Sequence, residues 1–452
     1  MFTAMKTIFG LSMLGGALAL TKDGLHVIGQ QPLVQDACPS DSLLVNRDCK
    51  QTSSDATITS TFAYRSNISH ISQSLDESRV LASQVKDFPW TFWPECFSNE
   101  NTTEPFCVYS KQDFAGGRGI FIVGTKTFAY AMLEKDAFVR PDTLARMNQY
   151  DNPPFVQHQF PGKGRGLVAN KTLQRGDQIF ASTPLLITDP DAYQLSQAER
   201  LALLYRGVDT LPLASQARFW ELLGHFDGDP VDDRINTNNF EVTIDGISQS
   251  ALFPEIAMLN HDCRPNAAYF FDEQTMAHHV HAIRTIPPGE EITITYIDNE
   301  MTQAKRMQRL QRNWGFECSC SSCTAHPSLV LESDSRLQQT TSLTKLLDDW
   351  SLASSASPEA AELLISLYKQ ERLDASLATA YKHAAETYSS FGKMFEAMKY
   401  ARLSTEMSML DKGFTDTDVR EMRRMSSDPT MSWSWKKRIG GSNEGCRCRH
   451  GR

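Results

Sequence analysis

The chain has 452 residues, 41% hydrophobic and 22% charged, with a net charge of −9. This composition fits a globular protein of two or three domains at about 150 residues each. It excludes a mainly disordered chain, a collagen-like fibre and a polytopic membrane protein. An acidic chain is poorly suited to grip nucleic-acid phosphates, which need clustered Lys and Arg, so no direct nucleic-acid partner is expected. A basic protein is the better-matched partner.

The N-terminus places Lys6 before an uncharged apolar run, Thr7 to Leu20, which contains Ala17-Leu18-Ala19. Charge, a short apolar stretch and a small-x-small site are the layout of a secretory signal peptide, predicted over residues 1–19. A buried N-terminal helix is the alternative. The signal peptide implies the secretory pathway or secretion; cytoplasm or nucleus is the other reading. No later apolar run approaches about 18 residues, so no transmembrane helix is predicted. Glycosylation sequons start at Asn67, Asn101 and Asn170.

Residues 20–150 hold Cys38, Cys49, Cys96 and Cys107, and each neighbouring pair is eleven apart. Two local disulfides fit that spacing in an oxidising compartment; four free thiols are the alternative. Residues 50–60 are polar and poor candidates for order. Residues from Phe114 (FAGGRGIFIVGTKT) echo those from Phe160 (FPGKGRGLVANKT), as a degenerate repeat or as two similar turns entering strands.

Residues 151–325 carry short apolar runs bounded by Gly, Pro, Asn and Asp. Strands are predicted at Gly166–Ala169, Asp177–Phe180, Phe240–Ile244, Ala267–Phe271, His278–Ile283 and Glu291–Tyr296. A helical insert covers about 190–230, and another helix 300–312. In residues 326–425, apolar residues recur at three and four, predicting antiparallel helical hairpins; 377–410 resemble one tetratricopeptide-like unit. The basic tail, 426–452, is predicted to be disordered.

Four features of the middle region converge. Gly162-Lys-Gly-Arg-Gly-Leu precedes a strand, and its glycines let a ligand approach the backbone. Leu259-Asn-His-Asp-Cys-Arg-Pro-Asn266 sets polar groups that need partners at the end of an apolar run. Gly289-Glu-Glu-Ile-Thr-Ile-Thr-Tyr296 reads as a turn and a strand ending in Tyr. Cys318-Ser-Cys-Ser-Ser-Cys323 follows Trp314-Gly-Phe-Glu. Its spacing suits thiolate metal ligands and suits disulfides poorly. Zinc takes four tetrahedral ligands, and Cys263 is the natural fourth.

Together, GKGRGLVA, RINTNNF (234–240), LNHDCRPN, GEEITITY and WGFECSCSSC resemble, in order, the SET-domain family of protein lysine methyltransferases. The likeness is nearest to the SET and MYND subgroup, but no MYND finger is present, since no cysteine lies between Cys107 and Cys263. It implies an α+β fold: a β-rich SET domain with a knot-like post-SET segment. An N-terminal Cys-containing region and a C-terminal α-helical domain would flank it. It implies S-adenosyl-L-methionine on one face and a lysine entering from the other. Lys163, Gly164, Arg165, Gly166, Asn238, Asn260, His261 and Phe316 would contribute to cofactor binding. Phe316 and Trp314 would also wall the lysine channel. Tyr296 would orient the amine near the transferred methyl, and Cys263, Cys318, Cys320 and Cys323 would hold one structural zinc. The substrate would be a protein with an accessible lysine, and the enzyme a monomer. The competing reading keeps the fold without turnover, as a binding module using its helical domain. A third, a secreted disulfide protein, has Cys318–Cys323 oxidised.

Overall fold

The short β-branched and aromatic runs form the strands expected of them. A computed structural model describes residues 42–45, 48–51, 74–98, 103–351 and 353–439. The predicted signal peptide, the sequons at Asn67 and Asn101, Cys38, residues 52–60 and residues 440–452 lie outside the described residues. Among those described, no helix is long and apolar enough to cross a membrane.

Strands β1 (Ser42–Val45) and β2 (Asp48–Gln51) pair with each other. Helix α1 (Leu75–Gln84) begins at a Ser74–Glu77 capping box. Then come β3 (Glu95–Phe97), β4 (Phe106–Lys111), β5 (Ile120–Gly124) and helix α2 (Lys126–Met132). The middle region supplies β6 (Phe155–Phe160), β7 (Gly164–Ala169), β8 (Gln178–Ser182) and β9 (Leu186–Thr188). The helical insert contains α3 (Gln197–Thr210), α4 (Leu213–Trp220) and α5 (Pro230–Asn238). Next are β10 (Asn239–Ile244), β11 (Ile247–Leu252), β12 (Asn260–His261), β13 (Ala267–Asp272), β14 (Ala277–Ala282) and β15 (Glu291–Ile294). Helix α6 (Gln303–Trp314) follows, then α7 (Pro327–Leu347), α8 (Pro358–Gln370), α9 (Leu377–Ser390), α10 (Met394–Asp411) and α11 (Thr417–Ser427).

The domain boundary expected near residue 150 is not a break in the structure. One six-stranded sheet runs β10-β11-β9-β5-β4-β3, so the first region and the middle region share it. The join is the parallel β5–β9 pair, with Phe121 opposite Leu186. Both faces of β5 are buried, which its unbroken apolar sequence IFIV requires. Helix α3 covers one face through Leu203, Leu204 and Val208, all at most 3% exposed. Each such burial stabilises by about 1.5–3 kcal/mol. The two echoing segments end in different sheets: β5 here, β7 in the four-stranded sheet β12-β15-β7-β6. Their likeness stops at a turn entering a strand.

Cys96 and Cys107 face each other across β3 and β4 and are joined by a disulfide. Replacing both with Ala is expected to cost about 2–3 kcal/mol through the freed loop. A chemical-denaturation midpoint equal to wild type would refute this.

Two further expectations need correction. The helical insert, expected to end near residue 230, runs on to Asn238: Arg234–Asn238 of RINTNNF finish helix α5, and Asn239 and Phe240 enter β10. Asp229 caps that helix by accepting from Val231 N and Asp232 N, with Pro230 in its first turn, so a further helix starts where the insert was expected to end. The tail is folded as far as residue 439. Ser434 hydroxyl donates to Ser389 Oγ at 3.0 Å, and Arg438 Nη2 donates to the Leu347 carbonyl at 2.7 Å. Trp433 packs on Trp350 with ring centroids 4.6 Å apart. Two tryptophans and a buried serine supply partners that a count of basic residues does not reveal.

Candidate active site and thiol cluster

Strand β12 is only Asn260 and His261, but it pairs in parallel with β15, opposite Thr293 and Ile294. The pairing draws the loop after Leu259 beside the strand that leads to Tyr296. Strand β15 ends at Ile294, so Tyr296 lies two residues past it instead of on it. Asn266 pins the far end of the loop: its Oδ1 accepts from Thr293 N at 2.8 Å and its Nδ2 donates to the Glu291 carbonyl at 2.8 Å.

On the neighbouring strand β7, Gly166 faces the Asn260 amide. A Cβ there would come within 2.5 Å of Asn260 Nδ2 and 2.8 Å of the Phe160 ring. Any side chain would displace Asn260. Asn260 Nδ2 instead donates to Glu291 Oε1 at 2.8 Å, and Lys163 Nζ donates to Glu291 Oε2 at 2.8 Å. Glu291 therefore joins two motifs separated by nearly one hundred positions. It was missed as a site residue because, as the first residue of a predicted strand, it looks like an ordinary surface acid.

The side chains of Arg165 and Asn238 turn to the insert. Arg165 Nη2 donates to the Glu221 carbonyl, and Asn238 Nδ2 to the Leu223 and Arg234 carbonyls at 2.8 Å each. Asn238 thus holds the insert in place, and its amide N–H groups are already engaged. The exposed Asn170 side chain, just past β7, donates to the Pro153 carbonyl at 3.0 Å.

His261 is 4% exposed. Tyr296 N–H donates to its Nδ1 at 3.1 Å. Burial holds its pKa down to about 4, so the ring is neutral and its proton sits on Nε2. That nitrogen lies 3.3 Å from Cys263 Sγ, which accepts it. One imidazole thus bridges the thiol cluster and the backbone of Tyr296. The Tyr296 hydroxyl donates to the Leu259 carbonyl at 2.6 Å, and burial pushes its pKa well above the usual phenol range. It is a protonated donor with lone pairs left to accept. Trp314 lies 5.3 Å and Phe316 6.5 Å from its ring, centroid to centroid.

Gly315, with φ +66°, ends α6 in the left-handed conformation and turns the chain back toward the loop. Cys318, Cys320 and Cys323 then meet Cys263, their sulfurs all within 4.8 Å of one another and all four residues buried. All four are free thiols, so the Cys318–Cys323 disulfide is not formed. Cys263 Sγ is 3.9 Å from that of Cys318 and 3.5 Å from that of Cys323. Tetrahedral zinc, with Zn–S near 2.3 Å, spaces its sulfurs by about 3.8 Å, so the donor set fits. Hydrogen bonds from Cys263, Cys318 and Cys323 pull Cys320 far below the ordinary thiol range. Arg306 on α6, 1% exposed, places Nη2 4.0 Å from Cys323 Sγ and donates from Nη1 to the Met301 carbonyl at 2.6 Å. Its charge offsets that of thiolates. Nothing in AKRMQRL distinguishes it from its solvent-facing neighbours.

The ribbon β13–β14 lies alongside. Its inner face sets His278 4.3 Å from the Phe253 ring, 5.0 Å from Tyr269 and 5.5 Å from Phe240. Burial depresses His278 from 6.5 to about 3. The unfolded imidazole takes a proton that the folded one refuses. Its stability contribution is therefore full above pH 6.5 and is lost as pH falls toward 3. The slope is about 1.4 kcal/mol per pH unit. His278→Phe is expected to flatten that fall, seen by comparing urea midpoints at about pH 7 and about pH 5. Parallel pH dependence in the two proteins would refute it.

The paired short strand, the Gly-rich turn and the tyrosine beside a four-thiol cluster define a SET domain. Residues 164–297 match the family model described as "SET domain". Histone-lysine N-methyltransferase set5 of Schizosaccharomyces pombe is 30% identical over 201 residues, 43% of this chain and 58% of that protein. N-lysine methyltransferase SMYD2 of Homo sapiens is 37% identical over 93 residues, 20% of this chain and 21% of that protein. The chain thus spans less than two thirds of the length of either relative. The Neurospora SET domain protein DIM-5, described as a histone lysine methyltransferase, is 16% identical to this chain. That match covers 32% of this chain and 53% of DIM-5 at a TM-score of 0.21, too low to carry an argument.

Proposed function

We propose that the chain is an S-adenosyl-L-methionine-dependent protein-lysine N-methyltransferase acting as a monomer on a protein with an accessible lysine. The observation that carries this is the convergence of Tyr296, the Lys163–Glu291–Asn260 chain and the His261 bridge on one short loop. S-adenosyl-L-methionine, when bound, supplies a sulfonium methyl. Lys163, the β7 backbone at Gly164–Gly166, Asn260 and His261 are the groups that would hold it. The protein's work is then to hold a neutral amine in line and keep water out. Tyr296 Oη, anchored on the Leu259 carbonyl, is free to accept an amine N–H and so aim the lone pair. Trp314 and Phe316 wall the approach. The ammonium proton leaves to water, since the Tyr296 phenol stays protonated. Cys263, Cys318, Cys320 and Cys323 would hold one structural zinc, with all positions filled by protein.

Incubating the purified chain with methyl-labelled cofactor and mixed basic proteins tests this. Label on lysine is expected; absence of both cofactor binding and transfer overturns it, and binding without transfer favours the turnover-free module. For compartment, the Cys96–Cys107 bridge supports the secretory reading, and a bound metal would protect the other four thiols from oxidation. Sequencing the N-terminus of the expressed chain tests it: cleavage near Ala19 is expected, and an intact Met1 speaks for cytoplasm or nucleus.

A further inference from the structure

Arg264 follows the thiol Cys263 directly, and its side chain leaves the SET domain. Its Nη1 donates to the Cys263 carbonyl at 2.8 Å and the Asn299 carbonyl at 3.1 Å, and its Nη2 donates to Glu371 Oε2 at 2.9 Å. The Arg264 and Glu371 side chains are 3% and 4% exposed. Glu371 sits at the C-cap of α8, in the helical domain. A carboxylate is unfavourable there, because the helix dipole places negative charge at that end. It is held by donors from three directions. Besides Arg264, Ser333 Oγ donates to Oε2 at 2.6 Å and Arg336 Nε to Oε1 at 2.6 Å, both from α7. Burial would push its pKa up, but these bonds hold it below the usual carboxylate range.

The other end of this arrangement is the cofactor loop. Asn260, His261 and Cys263 lie within four positions of Arg264. Arg264 N also donates to Asp262 Oδ1 at 2.7 Å, closing the turn between them. Glu371 thus acts on the loop from a different domain through a single guanidinium. The domains keep other contacts: α10 packs on β13 and β14, and Ser376 Oγ donates to Asn299 Oδ1 at 3.2 Å. The helical domain therefore has contacts with the middle region that do not depend on the Glu371 charge.

We propose that Glu371 is a positioning residue for methyl-donor binding. By holding Arg264, the helical domain sets the conformation of residues 259–264 and hence the affinity for S-adenosyl-L-methionine. This rests on the methyltransferase reading above. The test uses the full chain with Glu371→Gln, which keeps the shape and removes the charge, and Arg336→Gln, which removes one donor from a partly exposed position. The dissociation constant for S-adenosyl-L-methionine, measured by calorimetry, is expected to rise about tenfold in the first and about fivefold in the second. Zinc content and KM for the protein substrate stay at wild-type values. If Glu371→Gln does not fold, Arg336→Gln decides alone. Wild-type affinity in the folded variants overturns the positioning role, as does a fall in kcat with affinity unchanged. A wild-type chain that binds no S-adenosyl-L-methionine overturns the methyltransferase reading itself, and this inference with it.

Discussion

Tyr296→Phe is expected to slow methyl transfer by about 100-fold while changing S-adenosyl-L-methionine affinity by less than about threefold. The hydroxyl is the group that differs, and it is already oriented: it donates to the Leu259 carbonyl at 2.6 Å. An amine approaching it finds an oxygen whose proton points away and whose lone pairs are open. Without that oxygen the amine rotates, and productive geometry becomes rare. The Tyr296 backbone N–H still donates to His261 Nδ1 in the variant, so the loop keeps its place. The lost hydrogen bond costs about 1 kcal/mol of stability, too little to unfold a domain of this size. Single-turnover rates beside calorimetric binding check the prediction. An unchanged rate would mean Tyr296 is only a packing residue; a matching loss of affinity would mean it supports the cofactor loop instead.

Loss of the zinc proposed for the four thiols is expected to have the broader effect. Cys320→Ser, or a strong chelator, should abolish zinc binding and lower cofactor affinity by about tenfold or more, because outer contacts orient inner ones. The path is short. Cys263 Sγ receives His261 Nε2, and His261 Nδ1 receives Tyr296 N–H. Arg306, 1% exposed, keeps Cys323 Sγ at 4.0 Å and the Met301 carbonyl but faces a cluster that is no longer complete. Metal analysis, melting temperature and cofactor binding should therefore fall together. Zinc lost with cofactor affinity intact would separate the cluster from the site.

Much of the site was legible because its motifs are local. Cys318-x-Cys-x-x-Cys, the Gly-Lys-Gly-Arg-Gly turn and Asn260-His261 need only spacing and residue type to be read. The strands were legible for a similar reason: β13 and β14 are short apolar runs punctuated by turn residues, and each lies within one or two residues of its expected place. Residues whose role depends on a distant partner were not legible. Glu291 looks like any acid at a strand start until Lys163 and Asn260 meet on it. Arg306 and Glu371 look like solvent-facing helix residues. Asn238 shows the converse: its motif suggested a ligand contact, and what only the structure reveals is that a helix end turns its amide N–H groups onto backbone carbonyls.

The sequence by itself determined the likeness of the middle region to a SET domain, the strands of that region, the hairpin of α9 and α10, and the four cysteines suited to a metal. All rest on periodicity or on spacing within a few residues, which local backbone geometry enforces. Tertiary structure alone decided that β3–β5 share a sheet with β9–β11 and that the tail to residue 439 packs on α9. It also decided that the helical domain grips the loop through Arg264. Those depend on pairings between segments far apart in the chain. There, many partners are sterically possible, and burial of the whole selects among them.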